Sequence, residues 1–145
     1  MEQRIGLLTL AVDDLGRARS FYEQLGWIGQ TVEETVFFQA GGIAIVVWSR
    51  EKLAADCGLA DRQLGGFDGV AIAHNVHSKA EVNHVLAAAK QAGATITRPA
   101  ASTFYGGYAG VFCDLDGHAW EVAHNPGFAL RDDGALIVPT FDTSA

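Results

Sequence analysis

The sequence predicts an α+β fold built from two copies of a βαβββ unit. Two observations support this prediction: the order strand, helix, paired strands occurs twice along the chain, and each helical segment lies between a short apolar strand and a Gly-containing hairpin. A chain of 145 residues, 49% of them hydrophobic, is long enough for both units to share one compact core.

The first unit, residues 4–49, opens with the apolar run IGLLTLAV, which predicts a buried strand. Asp13 or Asp14 is expected to cap the helix that follows, because apolar residues then recur at helical spacing as far as the stop at Gly26. The segment ETVFFQAGGIAIVVWS predicts two strands joined by a two-residue Gly-Gly turn. The unit therefore reads as strand, helix and hairpin.

The second unit, residues 67–125, repeats this order after a linker, residues 50–66, which is predicted to be a short helix and a Gly-rich segment. Ser78 and Glu81 form a capping box at the start of the second helix. The two units together make a single domain over residues 1–125. The tail, residues 126–145, contains an apolar ALIV run that is expected to add an edge strand or to cover a neighbouring subunit.

Composition excludes several classes of partner. The net charge of −7 and the pI near 5.0 argue against nucleic acid and against an anionic membrane surface. No apolar stretch approaches the roughly 18 residues of a membrane-spanning helix. Cys57 and Cys113 are far apart and form no metal or redox motif, and the first residues lack the pattern of a signal peptide. A cytoplasmic protein with reduced thiols is expected.

Two motifs give the chain a family resemblance. AVDDLGRARSFYEQLGW, residues 11–27, resembles the opening V-x-D-L-x-x-A-x-x-F-Y-x-x-L-G-[FWM] of the vicinal-oxygen-chelate superfamily, the glyoxalase/bleomycin-resistance/extradiol dioxygenase group. CDLDGHAWEVA, residues 113–123, resembles its closing D-P-D-G-[NH]-x-[IW]-E-[LV], in which Asp114 and Asp116 are interpreted as turn-shaping residues. The resemblance implies an open, cup-shaped mixed sheet around a small-molecule site, often in a homodimer.

Metal-dependent members of such families take ligands from four cup-lining positions, which the resemblance carries to Leu7, Gln39, Ala71 and Glu121. A divalent ion needs imidazole, carboxylate or carboxamide donors, usually three or more from the protein. Leu7 and Ala71 have none. His74 is an odd number of residues from Ala71, so it points to the opposite face of a regular strand. The sequence therefore predicts no cofactor, with a divalent metal on Gln39 and Glu121 as the alternative.

The side chains expected to face the cup suit an organic ligand better than an ion. A two-residue turn places Gln39 opposite Ala44 and turns one face of the hairpin into the cup. Two tyrosines lie on a Gly-hinged loop that is expected to close over the mouth. The predicted ligand-binding residues are Thr9, Phe37, Gln39, Val46, Trp48, Ala71, Tyr105, Tyr108 and Glu121.

Glu121 has three interpretations, because a carboxylate in an apolar strand requires a partner. It is a catalytic acid or base, a binding group, or a structural carboxylate bonded to Gln39, Thr9, a tyrosine or water. The sequence predicts a glyoxalase/bleomycin-resistance-type protein that binds a small organic molecule in a metal-free cup, for resistance or sequestration. The alternative is a lyase, isomerase or dioxygenase-like enzyme that uses Glu121 as acid, base or metal ligand.

Overall fold

The chain forms two four-stranded mixed sheets, each packed against one helix. A computed structural model describes residues 1–3, 5–61 and 66–141. Residue 4, where the first unit was expected to begin, lies outside the described residues. So do residues 62–65 of the predicted linker and residues 142–145 of the tail.

The first module contains one helix and one sheet, with the elements β1 (Leu7–Val12), α1 (Leu15–Gln24), β2 (Gly29–Val32), β3 (Thr35–Ala40) and β4 (Ile43–Ser49). The strand order is β1-β4-β3-β2, with β4 parallel to β1 and antiparallel to β3. Asp14, and not Asp13, caps α1, because its Oδ1 accepts a hydrogen bond from the Arg17 N–H at 2.8 Å. Gly26 then adopts a φ of +93°, the left-handed conformation that commonly ends a helix.

A short helix connects the modules, and the second module repeats the first. The elements are α2 (Arg50–Asp56), β5 (Ala71–Asn75), α3 (Lys79–Gln91), β6 (Thr95–Ser102), β7 (Tyr108–Cys113) and β8 (Ala119–His124). The order β5-β8-β7-β6 matches that of the first sheet, which confirms the predicted α+β fold of two βαβββ modules. The capping box also forms: Ser78 Oγ accepts from the Glu81 N–H, and the Glu81 carboxylate accepts from the His77 N–H.

The tail forms its own hairpin. The ALIV run supplies β10 (Leu136–Ile137), which pairs antiparallel with β9 (Ala129–Leu130). Among the residues that the structure describes, neither strand is hydrogen-bonded to a four-stranded sheet. Residues 126–141, the described part of the tail, therefore do not extend either sheet as an added edge strand.

Each sheet has a helix face and a face turned away from the helix, here called the open face. On the first sheet, Val36, Phe38 and Val47 belong to the same core cluster as Phe21 of α1. The intervening residues lie on the open face because side chains alternate along a strand. The hairpin register pairs Gln39 with Ala44, as the two-residue turn predicted.

A buried carboxylate joins the two modules. Asp114, at the end of β7, is only 7% exposed, and its Oδ2 accepts a hydrogen bond from the Tyr22 hydroxyl of α1 at 2.5 Å. The Trp120 indole N–H of β8 reaches the same hydroxyl at 3.3 Å. Asp114 Oδ1 accepts from the backbone N–H groups of Asp116 and His118, at 3.0 and 2.8 Å. Asp114 therefore shapes its turn as expected and also connects α1 to the second sheet.

Aromatic packing surrounds this connection. Trp27, which follows α1, stacks on Tyr22 with ring centroids 5.4 Å apart and meets Trp120 edge-on at 5.7 Å. Trp120 in turn stacks on Phe112 at 6.2 Å. Such pairs add a fraction of a kcal/mol to about 1.5 kcal/mol each beyond the area that they bury. The two modules thus share one aromatic core around the Asp114 network.

Replacing Asp114 should destabilise the whole domain. In Asp114→Ala the Tyr22 hydroxyl and two backbone N–H groups lose their buried acceptor, so the free energy of unfolding should fall by about 3 kcal/mol. Urea denaturation measures this loss. Asp132→Ala, at an exposed position of the tail, is the matched control and should change stability by less than about 0.5 kcal/mol. Equal effects of the two substitutions would contradict the role of Asp114.

Candidate functional site

A cavity of about 780 Å³ opens between the edge strands of the two sheets, β1 and β5. Its walls come from residues 8–11 of β1, the first two residues of β5 and the open face of β6, β7 and β8. Leu53 of α2 and residues 66–68 cover one side. Most of the lining atoms are apolar. A site of this size and character suits a small organic molecule.

Only some of the predicted ligand-binding residues reach this cavity. Thr9 and Ala71 line it, one from each module. Four others lie on the open face of the first sheet but outside the cavity wall: Phe37, Gln39, Val46 and Trp48. The Gln39 side chain donates to the Gly41 carbonyl at 2.6 Å, so it closes its own hairpin turn.

The two predicted mouth tyrosines lie elsewhere. Tyr108 faces α3, where its hydroxyl donates to Asn83 Oδ1 at 2.8 Å and its ring lies under the Lys79 ammonium. The expectation that Tyr108 faces the cup is therefore wrong. Tyr105 is exposed and packs edge-on against Phe104 at 5.3 Å, and neither ring lines the cavity.

Glu121 lies on the open face of the second sheet, between Val111 of β7 and Ala73 of β5. Its Oε2 accepts a hydrogen bond from Arg98 Nη2 at 3.0 Å. The partner is thus an arginine, and not the glutamine, threonine or tyrosine that the sequence suggested. Glu121 is outside the cavity wall, although Val111 beside it is part of that wall. With both side chains more than a third exposed, the ion pair contributes at most about 1 kcal/mol.

A β-bulge explains why the sequence did not reveal Arg98. Ile96 pairs with Phe112, but the next pair is Arg98 with Val111, so Thr97 is an extra residue in β6. Regular alternation would place Arg98 on the helix face with Ile96. The sequence signal for this irregularity was Pro99, because proline cannot donate to a strand ladder.

His118 is the second functional candidate that the sequence did not single out. It lies in the cavity wall, and its Nδ1 is 2.7 Å from Asp114 Oδ2. Arg50, the first residue of α2, lines the same cavity. Its nearest carboxylate oxygens belong to Asp61, at 3.5 Å, and Asp13, at 3.9 Å.

The Asp114–His118 contact shifts the pKa of both groups. Burial alone would raise the pKa of Asp114, but the hydrogen bond and charge of His118 and the hydrogen bond from Tyr22 outweigh burial and lower it. Burial would likewise lower the pKa of His118, but the hydrogen bond and charge of Asp114, with a smaller effect of Asp116, raise it against the opposing charge of Arg50. Burial first, and then the Asp114 charge, raise the pKa of Tyr22, which stays a neutral donor.

The four positions of a metal site do not supply enough donors here. The strand register pairs Ala73 with Glu121 in one sheet and Thr9 with Val46 in the other, so the counterpart of Glu121 in the first module is Val46 and not Gln39. Within residues 1–3, 5–61 and 66–141, no group of three or more His, Cys, Asp or Glu side chains could hold an ion. The residues therefore do not fit a divalent metal.

His74 lies on the helix side of β5, as its spacing from Ala71 indicated. It borders a small cavity of about 90 Å³ together with Trp27 and Trp120. Burial lowers its pKa against the opposing charge of Glu81. A neutral histidine on this face cannot complete a site on the open face.

Comparison with known proteins agrees with this architecture. The model of the Glyoxalase/Bleomycin resistance protein/Dioxygenase superfamily matches residues 4–122. The chain belongs to this superfamily. None of the curated proteins compared with it matches significantly.

Several solved structures share the fold. A glyoxalase-related enzyme from Fulvimarina pelagi is 33% identical, with a TM-score of 0.88 over 96% of this chain and 100% of its own. A hypothetical protein from S. aureus, SA1046, is 23% identical, with a TM-score of 0.75 over 86% and 94% of the two chains. A lactoylglutathione lyase from Agrobacterium tumefaciens is 20% identical, with a TM-score of 0.64 over 85% and 94%. The last two likenesses concern the fold alone.

The apolar stretches of the sequence are too short to predict a membrane-spanning helix. Within the part of the chain that the structure describes, no helix has both the length and the apolar character needed to cross a bilayer.

The Asp114–His118 pair should make stability depend on pH in both directions. Because its pKa is raised, His118 contributes stability that is complete below the unfolded value of about 6.5 and is lost as pH rises through the folded value. Asp114, with its lowered pKa, contributes stability present above about 3.9 that is lost as pH falls.

Urea denaturation of the wild-type chain and His118→Asn across this range tests the alkaline side. The stability advantage of the wild-type chain should be largest in mild acid and should shrink as pH rises beyond about 6.5. An advantage that grows with pH would contradict a raised pKa of His118.

Proposed function

We propose that this glyoxalase-superfamily chain binds a small, mainly apolar organic molecule in the cavity between β1 and β5, without a metal. The observation that supports it is the cavity itself: about 780 Å³, mostly apolar, and bordered by both modules. The role would be resistance to the bound molecule or its sequestration. The donor set supports the same proposal, because it offers an ion too few ligands while the apolar wall offers an organic molecule a large surface.

Exposed apolar side chains beside the cavity support a homodimer. Leu7, at the start of β1, is 48% exposed, and Phe67 and Val70, just before β5, are 75% and 57% exposed. Phe67 and Val70 also line the cavity. A second copy that covers this edge would bury these side chains and narrow the mouth of the cavity. Both cysteines are free, which suits a cytoplasmic location.

Filling the cavity should abolish ligand binding. Ala119 lines the cavity, so Ala119→Phe should remove the rise in melting temperature that a neutral probe, 2-naphthol, gives the wild-type chain. At a probe concentration of 100 times Kd that stabilisation is about 2.7 kcal/mol. The thermal-shift measurement needs Ala87→Phe as its control, because Ala87 is exposed on α3 and its substitution should keep the full shift.

Two results would overturn this assignment. An undiminished shift in Ala119→Phe would place the bound probe outside the cavity. A stoichiometric transition metal, measured by elemental analysis of the purified chain, would overturn the metal-free site.

A lyase or isomerase that uses Glu121 for proton transfer is the alternative function. One observation favours it: Glu121 Oε1 has no hydrogen-bond partner among the described residues and lies on the same face as the cavity. Against it, Arg98 holds the other oxygen, and Glu121 stays outside the cavity wall.

Glu121→Gln separates the two functions, because it removes the charge and keeps the shape. The thermal shift given by 2-naphthol should be unchanged in this variant, since Glu121 does not line the cavity. The melting temperature without probe should fall only slightly, because the lost ion pair is exposed. Loss of the probe-induced shift would place Glu121 in the site and remove the main observation against the enzyme.

A further inference from the structure

We propose that His118 and Arg50 form a carboxylate-binding subsite in the cavity wall, so that the ligand is an apolar molecule carrying a carboxylate. This inference rests on the proposed function, since it assumes that the cavity holds the ligand. It adds the chemical class of the ligand and the two residues that would select it.

The His118 ring is held in a fixed orientation. Its side chain is only 16% exposed, and Nδ1 is bonded to the carboxylate of Asp114, which is itself fixed by Tyr22 and two backbone N–H groups. Nε2 has no hydrogen-bond partner among the residues that the structure describes, and His118 is one of the residues that line the cavity. Nε2 is therefore the atom that His118 can offer to a bound molecule. A histidine with one nitrogen held by a carboxylate is oriented for a task at the other.

Arg50 brings a second cation to the same cavity. Its distances to the oxygens of Asp61 and Asp13, 3.5 and 3.9 Å, exceed the usual hydrogen-bond range of about 2.7–3.2 Å. Among the described residues, no hydrogen bond therefore occupies its guanidinium, which keeps donors for a ligand. The planar fork of an arginine matches a carboxylate group, which can accept two parallel hydrogen bonds.

The acidic groups that face His118 do not prevent an anion from binding. Asp114 and Asp116, from its own turn, are engaged by hydrogen bonds: Asp114 holds Tyr22 and His118, and Asp116 accepts from the Asp13 N–H at 2.9 Å. These carboxylates help to raise the pKa of His118, so they favour the charged ring that an anion would bind. The remaining carboxylates nearby belong to solvent-exposed residues, Asp13 and Asp61 beside Arg50 and Asp68 at the cavity rim, and water screens them.

The remaining residues of the cavity wall determine which chemical groups suit the rest of the ligand. Leu53 of α2, Phe67 of the segment before β5 and Val111 of β7 all border the cavity and offer no hydrogen bonds from their side chains. A ligand whose remaining surface is apolar gains from burial there, whereas a second charged group would lose its hydration without a partner. One carboxylate on an apolar body matches this division.

The test is a calorimetric titration with two probes that share a shape and differ in charge, 2-naphthoate and 2-naphthamide. The wild-type chain should bind the naphthoate about tenfold more tightly. His118→Asn should remove this preference, because the naphthoate should lose more affinity than the naphthamide, and Arg50→Met should reduce the preference in the same way. His84→Asn, at an exposed position on α3, is the matched control and should keep it. Melting curves show whether each variant is folded.

Measuring the affinity for both probes over a pH series distinguishes direct binding by His118 from a structural role, which would not make naphthoate binding depend on pH. The naphthoate affinity of the wild-type chain should fall as pH rises through the raised pKa of His118, while the naphthamide affinity stays constant. Asp114, Asp116, Asp13 and Arg50 are the charged groups around the ring.

The outcomes separate this inference from the proposed function. If the wild-type chain binds both probes equally, or if both His118→Asn and Arg50→Met keep the preference for naphthoate, the subsite is wrong and the cavity remains the binding site. If the wild-type chain binds neither probe, the cavity is not a site for apolar molecules, and both proposals fall together.

Discussion

The hydrogen bonds to the buried carboxylate of Asp114 fix the relation between the two modules. A charged group that is 7% exposed is stable only when its oxygens are satisfied, and here they accept from one hydroxyl, two backbone N–H groups and an imidazole. The hydroxyl belongs to Tyr22 of the first module, and the other donors belong to the turn of the second. Because α1 is thereby tied to the β7–β8 turn, the β1 and β5 edges are held on either side of the cavity.

The same carboxylate connects stability to the candidate site. It holds Tyr22 on one side, in the core, and His118 on the other, in the cavity wall. The negative charge of Asp114 stabilises the protonated imidazole of His118. Hydrogen bonds in the core keep Asp114 ionised in spite of its burial. A change at Asp114 would alter folding and site together, whereas a change at His118 leaves the Tyr22 contact in place. Ligand selection can therefore vary at His118 while the connection between modules is kept.

Periodicity and turn chemistry were sufficient to predict the duplicated modules, the capped helices and the hairpin register at Gln39 and Ala44. They could not predict which side chains on neighbouring strands contact each other, since those contacts depend on the register of the strands. The bulge at Thr97 reverses the face of Arg98, and no local pattern reveals the ion pair with Glu121. Tyr108 was different: it shares the strand parity of Phe112, a core residue, so alternation alone could have placed it on the helix face. The role of His118 depends on the cavity between β1 and β5, which only the folded chain forms.

Glu121 is a carboxylate on a face where Leu7 and Ala71, two of the other expected ligand positions, have no donor side chains. A half-exposed carboxylate on an apolar face needs compensating charge, and Arg98 of β6 supplies it at 3.0 Å across the intervening strand β7. In the first module the corresponding position is Val46, which is buried and needs no compensation. The two modules thus have different residues at the same position: a buried apolar side chain in the first and an ion-paired carboxylate in the second. The contact with Arg98 by itself accounts for the charge of Glu121 on this face.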